Sequence, residues 1–255
     1  MKKKYYIFTA ISAYLIVLIA TIPANSISQL VDEDMPISLQ GVNGTLWKGN
    51  ARTITINNDI QLKNTSWDFH AWKLLTGRAV IDLNTHYLDN AFISEVGSSF
   101  LGKVFINNLT GKLPASELAQ LANMPLVQLD GTIDINIEHA EWQENTLPMA
   151  TGNINWRLAS VTVAESVSLG NLTITLGESD NEQLNANIIN QGGDIKINGN
   201  AELVPETNYA VNIKLSPTAT ASDNIKRSLG MFAKRQTNGD FVFINEGSLN
   251  QIGLM

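Results

Sequence analysis

Few side chains in this sequence are spaced for chemistry. Its three histidines, His70, His86 and His139, lie far apart, and none sits three or four positions from another, the spacing that would put two ligands on one helical face. Alone they predict neither a zinc site nor an acid–base pair, and histidines on strand faces are the expected outcome. The run Asp32-Glu33-Asp34 could attract a cation, but consecutive carboxylates do not converge on one point, and a solvated linker is the simpler reading. Gly97-Ser98-Ser99-Phe100 reads as a glycine–serine turn, without the G-x-S-x-G elbow that exposes a nucleophile. No phosphate-cradling glycine loop occurs. The chain has no cysteine, which excludes disulfides, thiol catalysis and thiolate metal sites. Glycosylation sequons such as Asn64-Thr65-Ser66 are chance products of a chain rich in Asn and Thr. Trp47, Trp67, Trp72, Trp142 and Trp156 could line a ligand groove, although ordinary packing accounts for most of them. The expectation is therefore no catalytic residue, no metal ligand and no cofactor. Enzyme is the least favoured class.

What must position the rest of the chain is its first apolar run, Tyr5 to Ile22, which carries no charged residue. As a helix it spans roughly 27 Å at about 1.5 Å per residue, close to the hydrocarbon thickness of a bilayer. Lys2, Lys3 and Lys4 precede it, and Asp32, Glu33 and Asp34 follow it. Positive residues stay on the cytoplasmic side, so the chain after Ile22 is expected outside the cytoplasm. A cleavable signal ending near Ala24-Asn25-Ser26 is the rival, but the apolar run is longer than such signals carry. The expected organisation is a cytoplasmic N-terminus at 1–4, a transmembrane helix at 5–22, a juxtamembrane linker at 23–36 and a periplasmic β domain at 37–255.

The net charge of −7 argues against nucleic acid as a partner. Charged residues make up only 16 %, so Asn and Thr supply much of the polarity, a mixture that suits strands with one wet face. Alternation supports this. Arg52, Ile54 and Ile56 lead into a turn at Asn57-Asn58-Asp59, and Ile60 and Leu62 resume the pattern, which predicts a hairpin. Ile133, Ile135 and Ile137, then Ile154, Trp156 and Leu158, then Leu172, Ile174 and Leu176 each read as one apolar strand face. Tyr209, Val211, Ile213 and Leu215 do the same. Gly77, Gly102, Gly131, Gly152, Gly170, Gly193 and Gly239 are expected to precede strands, in a loose meander without a fixed period. Two helices interrupt it. One is predicted over Leu113–Leu121, with Leu118 and Leu121 on one side. The other starts at Asp223 as N-cap, runs through Ile225, Leu229 and Phe232, places Lys234 and Arg235 in its last turn and stops at Asn238-Gly239.

The segment from Gly41 to Ala51, Gly-Val-Asn-Gly-Thr-Leu-Trp-Lys-Gly-Asn-Ala, stands out because Gly44 and Gly49 permit close backbone approach around the bulk of Leu46 and Trp47. It resembles the signature of the type II secretion system protein N family, in which it follows an N-terminal membrane anchor at about this distance. The stretch from Trp67 to Gly77 is similar too, as is the final element from Gly239-Asp240-Phe241 to Gly247-Ser248-Leu249. The resemblance implies an inner-membrane accessory of the machinery that exports folded proteins, with other secretion proteins and the membrane as partners. It brings no catalytic residues. Gly44, Leu46, Trp47 and Gly49 are the expected motif positions, with a structural or interaction role.

Strands that each bury one face must find something to bury it on. The fold class expected is all-β after the N-terminal helix, with two short helices. The glycine-led strands resemble the AsmA-type superfamily, which implies a curled antiparallel sheet forming an apolar groove. A two-sheet sandwich is the alternative. The corresponding function is a membrane-anchored, non-catalytic component of type II secretion, or else a periplasmic protein that holds lipid in the groove.

Overall fold

A computed structural model of the chain describes Tyr5, Ile11, Tyr14 and residues 17–26, 36–57, 59–121, 126–144, 146–163, 165–178, 183–204 and 208–248. Most of the expected linker, including Asp32-Glu33-Asp34, lies outside these residues. Of the expected anchor, Tyr5, Ile11, Tyr14 and residues 17–20 are helical, and the rest up to residue 16 is outside them. Among the described residues no helix is long and apolar enough to cross a membrane. The chain divides into two compact units, Met1–Phe100 and Leu101–Met255. Both are antiparallel sheet, and in neither does the strand order close on itself.

The first unit contains β1 (Ile37–Gln40), β2 (Asn43–Gly44), β3 (Lys48–Ile56), β4 (Ile60–Phe69), a 3-10 helix (Ala71–Thr76), β5 (Arg78–Tyr87) and β6 (Asn90–Ser99). The strand order is β1-β3-β4-β5-β6, with β2 beside the other end of β3. The expected hairpin is present, with Ile56 opposite Ile60. A second one joins β5 to β6 through Leu88 and Asp89, both at positive φ (47° and 64°). A two-residue turn with both φ values positive matches the strand twist, but its usual Asn-Gly marker is missing here. Cross-strand register builds apolar rows: Ile37, Ile56 and Ile60 in one, Phe69, Ile81 and Val96 in another. Gly97-Ser98-Ser99 is the end of β6 and not a turn. The turn itself comes after it.

The second unit contains β7 (Val104–Pro114), α1 (Ala115–Leu121), β8 (Gln128–Trp142), β9 (Met149–Thr162), β10 (Ser166–Glu178), β11 (Leu184–Gln191), β12 (Ile195–Val204), β13 (Asn208–Pro217), α2 (Asp223–Phe232), β14 (Lys234–Arg235) and β15 (Phe241–Ser248). From β7 to β13 it is a meander in chain order, followed by β15 and then β14. The strands β8, β9 and β10 are 15, 14 and 13 residues long. Gly77, Gly102, Gly193 and Gly239 precede β5, β7, β12 and β15 as expected, but the length of β8, β9 and β10 takes in the other three glycines. Gly131, Gly152 and Gly170 lie inside β8, β9 and β10, where register shifts interrupt the alternation. At Gly131 (φ 103°) a Cβ would stand 2.4 Å from the Arg157 carbonyl oxygen, so only glycine fits beside the bulge on β9. The bulged residue is Leu158, at φ 50°. Alternation places Leu158 on the apolar face, yet it is 81 % exposed, and Ala159 takes the buried position instead. One inserted residue reverses the parity of the strand.

The core of this unit gathers Ala159, Leu172, Ile195, Ile197 and Phe241 from the sheet and Ile225 and Leu229 from α2. Ile225 and Leu229 are four positions apart and so lie on one helical face. Burying side chains of this size contributes about 1.5–3 kcal/mol each. The N-cap of α2 is Ser222, whose hydroxyl accepts from the Ile225 N–H at 3.1 Å, and Asp223 is the first helical residue. The helix ends at Phe232, so Lys234 and Arg235 form β14 rather than a last turn. In α1 the buried residues are Ala115 and Ala119, while Leu118 and Leu121 are exposed, the reverse of the expectation. Alanines four apart let a helix backbone approach a sheet more closely than leucines would. Leu113 and Pro114 finish β7 and do not start the helix.

Candidate functional site

The four motif residues converge on one small structure in the first unit, a hairpin clasp on the end of the N-terminal helix. Thr45 and Lys48 close a tight turn: the Thr45 N–H donates to the Lys48 carbonyl at 2.9 Å, and the Lys48 N–H donates to the Thr45 hydroxyl at 3.1 Å. This folds β2 onto β3, with Asn43 opposite Asn50 and Gly44 opposite Gly49. Both glycines are required by contact. A Cβ on Gly44 (φ 92°) would stand 2.6 Å from the Lys48 carbonyl oxygen, and one on Gly49 would stand 2.5 Å from the Trp67 ring.

The clasp holds the helix end through backbone polar groups. The indole N–H of Trp47 donates to the Ile19 carbonyl at 2.8 Å. The Leu46 N–H donates to the Ile22 carbonyl at 2.9 Å, and the Ala24 N–H donates back to the Gly44 carbonyl at 3.0 Å. Pro23 and Thr45 form a β-bridge between these bonds. The last carbonyls of a helix lack full partners within it: Ile19 has only a long bond from the Ile22 N–H at 3.4 Å, and the motif adds the Trp47 indole there and the Leu46 N–H at Ile22. The Thr21 hydroxyl adds a second bond to the Val17 carbonyl at 2.8 Å, beside the Thr21 N–H at 3.0 Å. Ala24 is fully buried at the contact.

Behind the clasp, β4 locks it in place. The Trp67 indole donates to the Leu46 carbonyl at 3.2 Å, and the Phe69 N–H donates to the Trp47 carbonyl at 2.6 Å. The Trp47 and Phe69 rings meet at 5.2 Å between centroids, tilted by 57°, a favourable aromatic arrangement. Lys48 pairs with Asp68 at 2.7 Å across the two strands. Their hydrogen bond raises the lysine pKa and lowers that of the aspartate. Gly44, Gly49 and Trp67, with Lys48, Asp68 and Asp82, line a cleft of about 410 Å³.

The remaining sequence candidates are dispersed. His139 bonds through Nδ1 to the Asn107 Oδ1 at 2.6 Å and lies 3.3 Å from Glu141. The Nδ1 of His86 is buried and makes no hydrogen bond. His70 has company that the sequence did not reveal: Asp82 at 2.9 Å, with Glu95 beside them. Trp72 and Trp142 are exposed, and Trp156 packs at the rim of the second unit's core, its indole donating to the Asp130 carbonyl at 2.8 Å. The groups assembled at the clasp are glycines, an aliphatic side chain, aromatic rings and backbone amides. With the Thr45 hydroxyl and the Lys48–Asp68 pair beside them, they can bind, orient and exclude water.

Missed by the sequence were the clasp's counterparts, Ile19, Ile22 and Ala24, together with Phe69. Hydrogen bonds to backbone carbonyls leave no mark on residue type.

Comparison with known proteins gives a consistent result. The family model described as type II secretion system (T2SS), protein N matches residues 35–243. A type II secretion system protein N of Aeromonas hydrophila is 25 % identical over 265 aligned positions, covering 98 % of this chain and 100 % of the relative. The protein of that name from Vibrio cholerae serotype O1 is 22 % identical over 223 positions, covering 84 % of this chain and 85 % of its own. No solved structure matches significantly.

Proposed function

The chain belongs to the type II secretion system protein N family, and from that premise we propose that it is an inner-membrane-anchored, periplasmic component of the secretion apparatus with a non-catalytic role. The family match across residues 35–243 carries the reading. Anchoring is supported by the uncharged run from Tyr5 to Ile22 and by the lysines before it. It is also supported by the exposure of Tyr5, Ile11, Tyr14, Val17, Leu18 and Ile19, apolar or amphipathic side chains that a bilayer would cover. The clasp gives the motif a role in this reading. It couples the sheet to the helix end, so that the β domain leaves the membrane in a set direction. Other secretion proteins and the membrane are the partners.

Lipid held in an apolar groove is the second reading, and it is weakened where α2 packs Ile225 and Leu229 onto Leu172, Ile195, Ile197 and Phe241 and covers that part of the apolar face. The test is genetic and topological. Deleting the gene should abolish or reduce release of the folded cargo, and the full-length gene should restore it. A reporter fused after residue 36 should be active only in the periplasm. Undiminished export after deletion, or a reporter active only in the cytosol, would overturn the corresponding half of the proposal.

A further inference from the structure

Register in the first unit aligns three carboxylates in one row. Asp68 on β4 is directly opposite Asp82 on β5, and Asp82 is directly opposite Glu95 on β6. Like charges in directly opposed positions destabilise a sheet, so such a row needs cations. Two are present at its ends. The Lys48 ammonium is 2.7 Å from Asp68, and the Lys73 ammonium is 2.6 Å from Glu95. Asp82, in the middle, meets the His70 imidazole at 2.9 Å. Two ammonium groups face three carboxylates, so the row is short of positive charge at its centre.

His70 does not reach this place by chance of rotamer. It sits between β4 and the 3-10 helix, its N–H donating to the Val80 carbonyl at 2.9 Å and its carbonyl accepting from the Lys73 N–H at 2.9 Å. The backbone thus delivers the ring to the row. One ligand atom each from His70, Asp82 and Glu95 lies within 4.8 Å of the other two. Ligand bonds of about 2.0–2.2 Å to zinc set neighbouring donors roughly 3.5 Å apart, within reach of small side-chain movements.

We propose that His70, Asp82 and Glu95 form a divalent transition-metal site suited to Zn²⁺. The donor set is one imidazole nitrogen and two carboxylate oxygens. Zinc takes that set readily, whereas calcium asks for oxygen alone and more of it. Lys73 donates to the Oε2 of Glu95 at 2.6 Å and so acts as the outer partner that orients a ligating carboxylate. Asp82 also lines the cleft beside the clasp, which gives an ion its way in and leaves room for water as a fourth ligand. Bound there, the ion neutralises the row and ties β5, β6 and the residue that closes β4 into one block.

The test uses full-length protein in detergent, stripped with EDTA and dialysed, with ZnCl₂ titrated by calorimetry and melting followed with and without the ion. Wild type should bind one Zn²⁺ per chain and melt at a higher temperature with it. His70→Asn and Asp82→Asn should bind at least tenfold more weakly and lose the zinc-dependent rise, while His86→Asn keeps both. Circular dichroism of the metal-free variants checks folding, and Glu95→Gln replaces either one that does not fold. Binding unchanged in the folded variants overturns the site. So does an absence of stoichiometric uptake by wild type, or equal competition by Ca²⁺.

Discussion

The two units are held together differently. In the second, the buried side chains include Leu113, Ile133, Ile137, Leu172, Ile195, Ile197, Ile225, Leu229 and Phe241, and a helix roofs the sheet. In the first, they are, among the described residues, Ala24, Ala51, Val80, Thr65, Thr85 and Ser94, none larger than valine. Thr65 and Thr85 share a hydroxyl–hydroxyl bond of 2.7 Å in that interior. One unit is stabilised by apolar volume, and the other by close approach and polar complementarity. The clasp and the carboxylate row both sit in the unit that cannot rely on volume.

The largest effect expected of this contrast is on α2. Leu229→Ala should destabilise the protein by about 3 kcal/mol, because it removes three carbons from the filled face and leaves a cavity. Urea denaturation followed by tryptophan fluorescence measures it. A loss under 1 kcal/mol would mean that the roof is loosely packed and that the distinction between the units is overstated.

Next comes the clasp, where adding an atom should do what removing atoms does in the second unit. Gly49→Ala puts a methyl group 2.5 Å from the Trp67 ring and 2.7 Å from the Asn43 carbonyl oxygen, so β2 or β4 must shift. The expected cost is about 2 kcal/mol, within the range for overpacking. Cargo release should fall with it, since the displaced hairpin no longer meets Ile19 and Ile22. Wild-type stability together with wild-type secretion would remove the clasp from any functional account.

The threonine pair tests polar complementarity directly. Thr65→Val leaves the Thr85 hydroxyl buried without its partner and should cost about 1–2 kcal/mol, whereas Thr65→Val with Thr85→Val should cost less than the single change. A double variant as damaging as the sum of the singles would show that the hydroxyls do not work as a pair.

How much of this could be read from residues alone depends on parity. Hairpins and one-faced strands were legible because alternation survives for five or more positions, as in Ile133–Ile137 and Tyr209–Leu215. It failed where a bulge intervened. Leu158 has the spacing of a core residue and is exposed, because the left-handed residue at 158 resets the face and hands the buried place to Ala159. The motif was legible as a place that demands glycine, but its contact with Ile19 runs through a carbonyl that every residue possesses. Asp82 and Glu95 are joined only by strand register and His70 reaches them from the end of β4, so the three are invisible to any rule of local spacing. In α1, the leucine pattern misled because closeness to the sheet selected alanine.

The smallest expected effect concerns whether polar groups also matter in the apolar unit. Glu141 near the end of β8 pairs with Lys103 at 2.7 Å and lies 3.3 Å from the His139 ring. The hydrogen bond from Lys103 is the main cause holding its carboxyl below the usual glutamate range, with His139 adding to it against the opposing effect of burial. A carboxyl with a lowered pKa in the folded state stabilises the fold when ionised. That contribution is complete above the unfolded value of about 4.3 and is lost as the pH falls through the lower folded value. Glu141→Gln should therefore cost about 0.5 kcal/mol at neutral pH, a modest figure because both partners are partly solvated. The difference from wild type should shrink below about pH 4 and vanish once the carboxyl is protonated in both states. Denaturation curves of the two proteins across that range measure it. A gap that stays constant down to pH 3 would assign the loss to packing at β8, leaving polar pairing a property of the first unit alone.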